Sequence, residues 1–490
     1  MTSRSPVIVW FRHDLRLADN PALHHAAESG APVIPLYLLD DGGADGVRPP
    51  GGAGRWWLHH SLERLGAALA RLGSPLVLSR GPAGEILDRL IAETGAGLVV
   101  WNRECEPAAA RRDAAVREKL AKRGVAVESF NGGLLVEPEQ VRSKAGTPFK
   151  VFTPFWKTLS TAHDPARPLP APAALTPPGS AVASDSLAAW ELLPTSPDWA
   201  GGLREDWTPG EGAAAERLAD FLDAILRDYR TGRDRPGRDG TSRLSPHLHW
   251  GEISPRQVWH ATRHRAEAAT GLEPAVEAFL REIGWREFTH GLLLTNPDMR
   301  TEPMDSRFKA LPWRNDDAGL KAWQRGRTGY PIVDAGMRQL WRTGWMHNRV
   351  RMIVGSFLVK DLLLPWQAGE EWFWDTLVDA DAANNSANWQ WIAGCGADPA
   401  PFFRVFNPVL QGRKFDPDGS YVRRYVPELE RLPDRYVHEP WSAPAEVLAK
   451  AGVALGRTYP KPIVYHGAAR DRALEAFRAV KAAGKVAPPG

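Results

Sequence analysis

Two cysteines in 490 residues, Cys105 and Cys395, exclude a disulfide framework and a thiolate metal centre. Both read as small buried hydrophobes, and no metal is assigned from the sequence. Long apolar runs are missing too. No stretch reaches the about 18 residues that a membrane-spanning helix needs, and the opening MTSRSPVIVW carries neither a long apolar leader core nor a small-residue cleavage site. The expectation is therefore a chain that works in the cytosol without a membrane partner. Net charge is nearly absent as well, formally +3, so bulk charge gives no argument for nucleic-acid binding. No G-x-G-x-x-G follows the first strand-like run, where Phe11-Arg12-His13-Asp14-Leu15-Arg16 stands instead, which disfavours an ordinary dinucleotide site. There is no internal repeat.

What is abundant is tryptophan. The chain has 21, of which 12 lie between Trp250 and Trp391. Single indoles are core by default, but a dozen within one segment calls for a further role. Charge is also uneven: between Arg281 and Lys360 there are 14 Lys and Arg against 8 Asp and Glu, either a solvated face or the footprint of a phosphate backbone.

At this length two or three domains are the starting expectation. The first part alternates β-rich runs at 7–11, 33–40, 75–79 and 97–101 with segments of helical apolar spacing, RWWLHHSLERLGAALARLG and AGEILDRLIAETG. Strand, helix, strand repeated in this way predicts a parallel, Rossmann-like sheet covered on both faces, an α/β domain over residues 1–160. Residues 161–212 are rich in Pro, Gly, Ala and Ser and predict a long connector crossing the surface. Beyond it the apolar period is helical throughout, so residues 213–490 should form an all-α domain.

Two short motifs carry chemistry. Thr241-Ser242-Arg243-Leu244-Ser245-Pro246 follows a Gly-rich basic loop and opens a helical segment, suited either to simple capping or to a pyrophosphate. Asp379-Ala380-Asp381-Ala382-Ala383-Asn384-Asn385 precedes Trp389-Gln390-Trp391, and an Asx-rich loop does not by itself explain two indoles at i and i+2.

The long motifs VIVWFRHDLRLADNPAL, TSRLSPHLHWGEISP, FLREIGWREF, GYPIVDAGMRQL, GWMHNRVRMIVGSFLVKDLL, ANNSANWQWIAGCGADPAPFFRVFNP and YVRRYVPEL, in this order from about residue 7 to 465, resemble the photolyase/cryptochrome family. The resemblance implies an N-terminal α/β antenna domain and a C-terminal helical FAD-binding domain, in a bacterial cytosolic enzyme acting as a monomer on UV-damaged DNA without an obligate protein partner. It implies that Tyr229, Thr241, Ser242, Arg243, Leu244 and Ser245 hold the phosphates and ribityl chain of FAD. Arg351, Asp379, Asp381 and Asn384 would surround its ring system, Asn384 facing N5. Glu282, Trp285, Asn348, Met352 and Trp391 would receive a flipped-out pyrimidine dimer, with Arg233, Arg349 and Arg404 on the DNA phosphates. Trp389, Trp366 and Trp313 would form an electron-transfer chain, Trp341 adding a second branch.

Within the family, Asn348 and Met352 stand where (6-4) photolyases place a second His, and two cysteines cannot supply the four thiolates of an iron–sulfur cluster. Repair of cyclobutane dimers by light is the implied activity, with a blue-light photoreceptor as the alternative. Gly54-Arg55-Trp56-Trp57-Leu58 is similar to a Trp-containing segment of the class III subgroup, which makes Trp56 and Trp57 candidate antenna contacts. The chromophore would be 5,10-methenyltetrahydrofolate or, second, 8-hydroxy-deazaflavin.

Overall fold

The computed structural model describes residues 4–398 and 404–486, with side chains to residue 482. Its contacts divide the chain into two compact units: Met1–Arg227 with Ser242–Pro297 and Val378–Ala383, and Asp228–Thr241 with Asp298–Leu377 and Asn384–Gly490.

The first unit is built on five parallel strands, β1 (Val7–Phe11), β2 (Val33–Leu39), β3 (Val77–Arg80), β4 (Leu98–Asn102) and β5 (Ala126–Phe130), in the order β3-β2-β1-β4-β5. The helices α1 (Pro21–Glu28), α2 (Gly52–Arg71), α3 (Ala83–Thr94) and α4 (Pro107–Ala121) connect them. VIVWF is buried at all five positions, as a central strand covered on both faces must be. β1 and β2 pair from Val7↔Val33 to Phe11↔Tyr37. Ile8, Ile34, Leu36, Val99 and Trp101 form the core with Leu87 and Leu90 of α3. The strands predicted at 7–11, 33–40, 75–79 and 97–101 are present within a residue or two; β5 was not foreseen, because AVESF is half polar and only partly buried.

Chain order reverses between β1 and β4, the place where open α/β sheets usually bind a ligand beyond the strand ends. Here the protein's own side chains fill it. Arg12 is buried, donates to Asp113 at 2.7 and 2.8 Å and lies over the Trp10 ring at 5.0 Å, where Arg112 joins it at 4.6 Å. Asn102 donates to Asp14 at 2.6 Å and to Asn20 at 2.8 Å. The FRHDLR run thus replaces a glycine-rich loop with a closed polar network.

The Pro-rich segment after 160 is anchored to this sheet. Leu175 N donates to Leu72 O and Val33 N to Thr176 O, each at 2.8 Å. Trp190 is buried beside Tyr37, its indole N–H on Asp185 at 3.1 Å. Composition alone hides such isolated anchors. α5 (Phe152–Ala162) and the long helix Glu273–Thr295 also belong to the first unit.

The second unit is helical, and among the described residues every strand lies before residue 131. Helix Pro331–Thr343 packs so closely on Asn348–Ser356 that a Cβ on Gly336 would lie 2.5 Å from Val350. The GYPIVD motif that opens it is structural. The fully buried Asp334 carboxylate accepts from Thr328 N and Oγ1 at 2.6 Å each, Gly329 N at 3.0 Å and Tyr459 OH at 2.7 Å.

Gly251 tests the packing of the first unit. Its φ is +68°, its carbonyl accepts from Arg16 at 2.9 Å, and an added Cβ would fall 2.1 Å from His13 O. Gly251→Ala should cost about 3 kcal/mol or more, read as a lowered midpoint in chemical denaturation; an unchanged midpoint would remove this contact from the fold's requirements.

Candidate functional site

The helix Glu273–Thr295 carries two of the predicted residues, Glu282 and Trp285, one turn apart. Glu282 and Trp285 are half-buried, Glu287 and His290 buried. Trp285 is stacked on Phe152 of α5, ring centroids 3.7 Å apart and planes 9° off parallel. One indole face is therefore backed by a phenyl ring, which is itself stacked on Trp156 at 6.4 Å. Trp156 reaches this position because residue 284 is glycine: a Cβ there would lie 2.4 Å from the Trp156 ring. Phe152 was not singled out from the sequence, since one Phe in a short amphipathic helix carries no signal until its neighbour is known.

Glu287 lies one turn from Ile283 on the same helix and accepts from Leu135 N at 2.8 Å. It lines a cavity of about 200 Å³ with Val136, Arg142, Phe149, Phe155 and Phe288. Burial pushes its carboxyl up to about 7, against the opposing pull of Arg286 and His290.

The segment Val378–Ala383 brings Asp379 and Asp381 into the first unit. Asp379 is buried, and Val378 O accepts the Trp250 indole N–H at 3.0 Å. Asp381 Oδ2 faces His290 Nε2 at 3.5 Å and His249 Nδ1 at 3.8 Å. Burial alone would raise this carboxyl, but the two imidazoles hold it well below the usual carboxylate range. His249 packs in turn on His13, centroids 5.0 Å apart, and His13 Nδ1 meets Glu104 at 2.7 Å.

Ser242 to Ser245 form the turn before the short helix Ser245–His249. Arg243 sits at φ +54°, rare for a side chain with a Cβ, and is held there by Asp206 at 2.8 Å and by the Trp207 ring at 4.3 Å. Ser242 O accepts from Arg217 Nε at 2.7 Å, and Leu244 is buried. Trp56 and Trp57, the expected antenna contacts on α2, are closed into the core of this unit. Trp57 donates to Glu252 at 3.1 Å and meets Trp207 and His247 edge-on, so a stacking role for either indole requires that packing to open.

In the second unit, Tyr229 is buried, with Arg233 over its ring at 5.3 Å; Thr241 is half-buried. Arg349 pairs with Asp234 at 2.7 Å and lies 4.5 Å over Phe415, while Arg404 is exposed. Arg351 donates to Met346 O at 2.7 Å. His347 caps the helix Asn348–Ser356, its Nδ1 accepting from Arg349 N at 3.2 Å. Burial, reinforced by Arg349, Arg351 and Arg233, lowers this imidazole to about 4, so it is neutral near pH 7. Asn348 is exposed at the start of that helix and Met352 half-buried one turn on.

On helix Ala382–Ala393, Asn384 and Trp391 are half-buried, and the Trp391 indole donates to Asp398 O at 3.2 Å. Asn385, beside Asn384, is spent on structure: its amide donates to Glu370 O and Oε1 at 3.0 and 2.9 Å. Gln390 is likewise a tie, donating to Met299 O at 2.6 Å and Glu302 O at 2.8 Å. Trp389 is buried against Gly369, where a Cβ would come within 2.1 Å of its ring, one turn along from the buried Trp366 on helix Trp366–Thr376. Phe373 and Trp323 flank it at 5.0 and 6.2 Å. Trp341 is exposed and parallel to Trp372, centroids 6.0 Å apart at 7°, and Trp313 is half-buried. Trp323 and Trp372 are aromatic neighbours that the sequence does not distinguish from the other indoles.

A family model described as DNA photolyase matches residues 7–173, and one described as the FAD binding domain of DNA photolyase matches residues 279–479. The chain is 54% identical to a deoxyribodipyrimidine photo-lyase of Agrobacterium fabrum, over 97% of this chain and 98% of that one. It is 41% identical to cryptochrome-1 of Arabidopsis thaliana, over 96% of this chain and 70% of the relative. The crystal structure of a bacterial class III photolyase from Agrobacterium tumefaciens superposes with a TM-score of 0.95 at 53% identity, covering 98% of both chains.

The raised carboxyl of Glu287 gives a signed pH effect. Its proton is held more tightly in the folded chain than in the unfolded one, where the reference value is 4.5. The stabilisation is therefore full below that value and lost as pH rises through about 7. Glu287→Gln, which cannot ionise, should gain on the parent by up to about 3 kcal/mol between pH 4.5 and 8. Urea midpoints at both ends of that range measure it, and parallel pH profiles would contradict it.

Proposed function

The chain belongs to the photolyase/cryptochrome family, and on that premise we propose that it is a light-driven, flavin-dependent lyase that reverts cyclobutane pyrimidine dimers in DNA. The observation that carries this reading is the 54% identity, over nearly all of both chains, with a deoxyribodipyrimidine photo-lyase. FAD is the cofactor, and the donor chemistry of this chain fits it: a hydroxyl-bearing turn, Thr241 to Ser245, held open by the left-handed Arg243, together with the buried carboxyl of Asp379, the guanidinium of Arg351 and the carboxamide of Asn384. Tyr229, Thr241, Ser242, Arg243, Leu244 and Ser245 would hold its phosphates and ribityl chain, and Arg351, Asp379, Asp381 and Asn384 its ring system. Bound and reduced, FAD supplies the electron that blue light drives into the dimer.

The chain's own residues bind and position. A dimer stacked in a duplex cannot reach a flavin, and photolyases are among the enzymes that flip their target nucleotide out. Trp285 and Trp391 offer half-buried indoles to replace the lost base stacking. The phenyl ring of Phe152 fixes the plane of Trp285, so that the open face is presented without reordering. Glu282, one turn before it, would hydrogen-bond a dimer carbonyl and steady the charge that arrives there, with Asn348 and Met352 as further contacts. Arg233, Arg349 and the exposed Arg404 would meet phosphates, Arg349 in company with Asp234. Trp389, Trp366 and Trp313 would return a resting flavin to its reduced state, and the parallel Trp341–Trp372 pair would serve as a second branch reaching solvent.

The division read from the sequence is proposed with it, residues 1–160 as antenna domain, 161–212 as connector and 213–490 as the FAD and repair domain, while contacts group Ser242–Pro297 and Val378–Ala383 with the first unit; the protein would act as a monomer in the bacterial cytosol and nucleoid with no obligate protein partner. For the antenna, 5,10-methenyltetrahydrofolate is preferred to 8-hydroxy-deazaflavin. The preference rests on the likeness of Gly54-Arg55-Trp56-Trp57-Leu58 to the class III segment.

The reading is tested by incubating reduced protein with an oligonucleotide carrying one defined thymine dimer, under blue light and in the dark. Light-dependent restoration of the two thymines is expected. Bound flavin without repair would overturn it in favour of a blue-light photoreceptor. In the same assay Phe152→Ala should weaken affinity for dimer-containing DNA roughly ten-fold, the loss of about 1.4 kcal/mol expected for unbacking one stacking platform, while flavin content stays unchanged. Undiminished affinity would take the positioning role away from Phe152.

A further inference from the structure

On α2, outside every residue assigned above, His59, His60 and Glu63 gather three donors in which no two ligand atoms are more than 4.8 Å apart. We propose that these side chains form a binding site for a divalent transition cation of the zinc type. Glu63 is i+4 from His59 and i+3 from His60, so its carboxylate can meet either imidazole, and the two rings are neighbours, centroids 5.3 Å apart at 83°. His60 Nδ1 already stands 3.6 Å from Glu63 Oε2. A tetrahedral zinc with bonds of about 2.0–2.1 Å sets its ligand atoms about 3.4 Å apart, so this pair needs only a few tenths of an ångström. The exposed Glu63 chain has the rotational freedom to bring its carboxylate to either imidazole.

A second observation points the same way. His59 Nδ1 is buried and has no hydrogen-bond partner, so no other group of the chain claims that nitrogen of the ring. Arg64 and Arg204 stand close enough to His60 to act on its charge. The two arginines are the groups that oppose a cation here, and Arg204 is itself paired with Asp198 at 2.7 Å. Two imidazoles and one carboxylate select zinc, copper or nickel over magnesium or calcium. Three protein ligands leave one coordination position open to water or an incoming donor. The site lies one turn from Trp56, whose ring meets His60 edge-on at 4.8 Å, so an occupied site would clamp the helix that carries the proposed antenna contacts.

The test uses the full-length flavoprotein dialysed against chelator and titrated with zinc chloride by calorimetry. One equivalent is expected to bind, with a zinc-dependent rise in thermal midpoint. His59→Gln and His60→Gln should each weaken binding at least ten-fold while leaving the metal-free midpoint within a degree or two of the parent's. With cupric ion instead, the paramagnetic resonance spectrum should show coupling to two nitrogens, falling to one in either variant. Absence of binding, or binding that survives in the His59→Gln/His60→Gln double variant, would overturn the site; because flavin content and dimer repair are read separately, neither outcome depends on the repair reading.

Discussion

A buried arginine and a buried aspartate three residues apart hold the first unit together. Arg16 donates to the carbonyls of Asp19, Gly132 and Gly251, and Asp19 accepts from Ser254 Oγ, Arg256 and Leu169 N. Four stretches of chain, at residues 16–19, 132, 169 and 251–256, meet on these two side chains. In a low-dielectric interior an unanswered charge is costly, so such a network is stable only when its members are matched. Gly251, whose carbonyl accepts from Arg16, keeps its left-handed backbone because the surrounding contacts over-determine it. The helix with Trp285 and Glu287 is tied to the loop after residue 132 by Leu135 N on Glu287 and Arg286 on Gly133 O.

Tryptophan shows how one residue type divides between packing and function. Trp10, Trp57, Trp101 and Trp250 are sealed into core and spend their indole nitrogens or faces on neighbours. Trp285 and Trp391 are half-buried, and Trp341 is open to solvent. Trp389 is buried with its Nε1 unpartnered, and so are Trp10 and Trp56. Exposure, rather than abundance or an unmet hydrogen bond, separates the indoles open to a stacking partner from those that fill volume.

Polar residues inside the long motifs divide in the same manner. The Asp334 carboxylate is consumed by four donors that fix a helix start. Asn385 and Gln390 are ties between helices and loops. Their neighbours Asn384 and Trp391 are thereby placed on a helix whose rotation is already decided. The carboxamide and indole proposed for function gain their precision from side chains that never touch a ligand.

The parallel sheet, the helical remainder and the dense candidate segments were legible in the sequence, because burial on both faces enforces continuous apolar strands and amphipathic helices enforce a 3.6-residue period. AVESF escaped because an edge strand keeps polar residues, and the Pro-rich stretch concealed Trp190 and its backbone bonds because isolated anchors leave no periodic trace. The long family motifs were enough to name candidate residues for cofactor and dimer. Only the folded structure decided that Phe152 backs Trp285, that Trp56 and Trp57 are enclosed, that the crevice beside β1 is filled by arginines, and that His59 and His60 stand beside Glu63 with a nitrogen unanswered. Those facts depend on contacts between distant residues and on the solvent each side chain loses, and neither quantity is written in the local pattern of the chain.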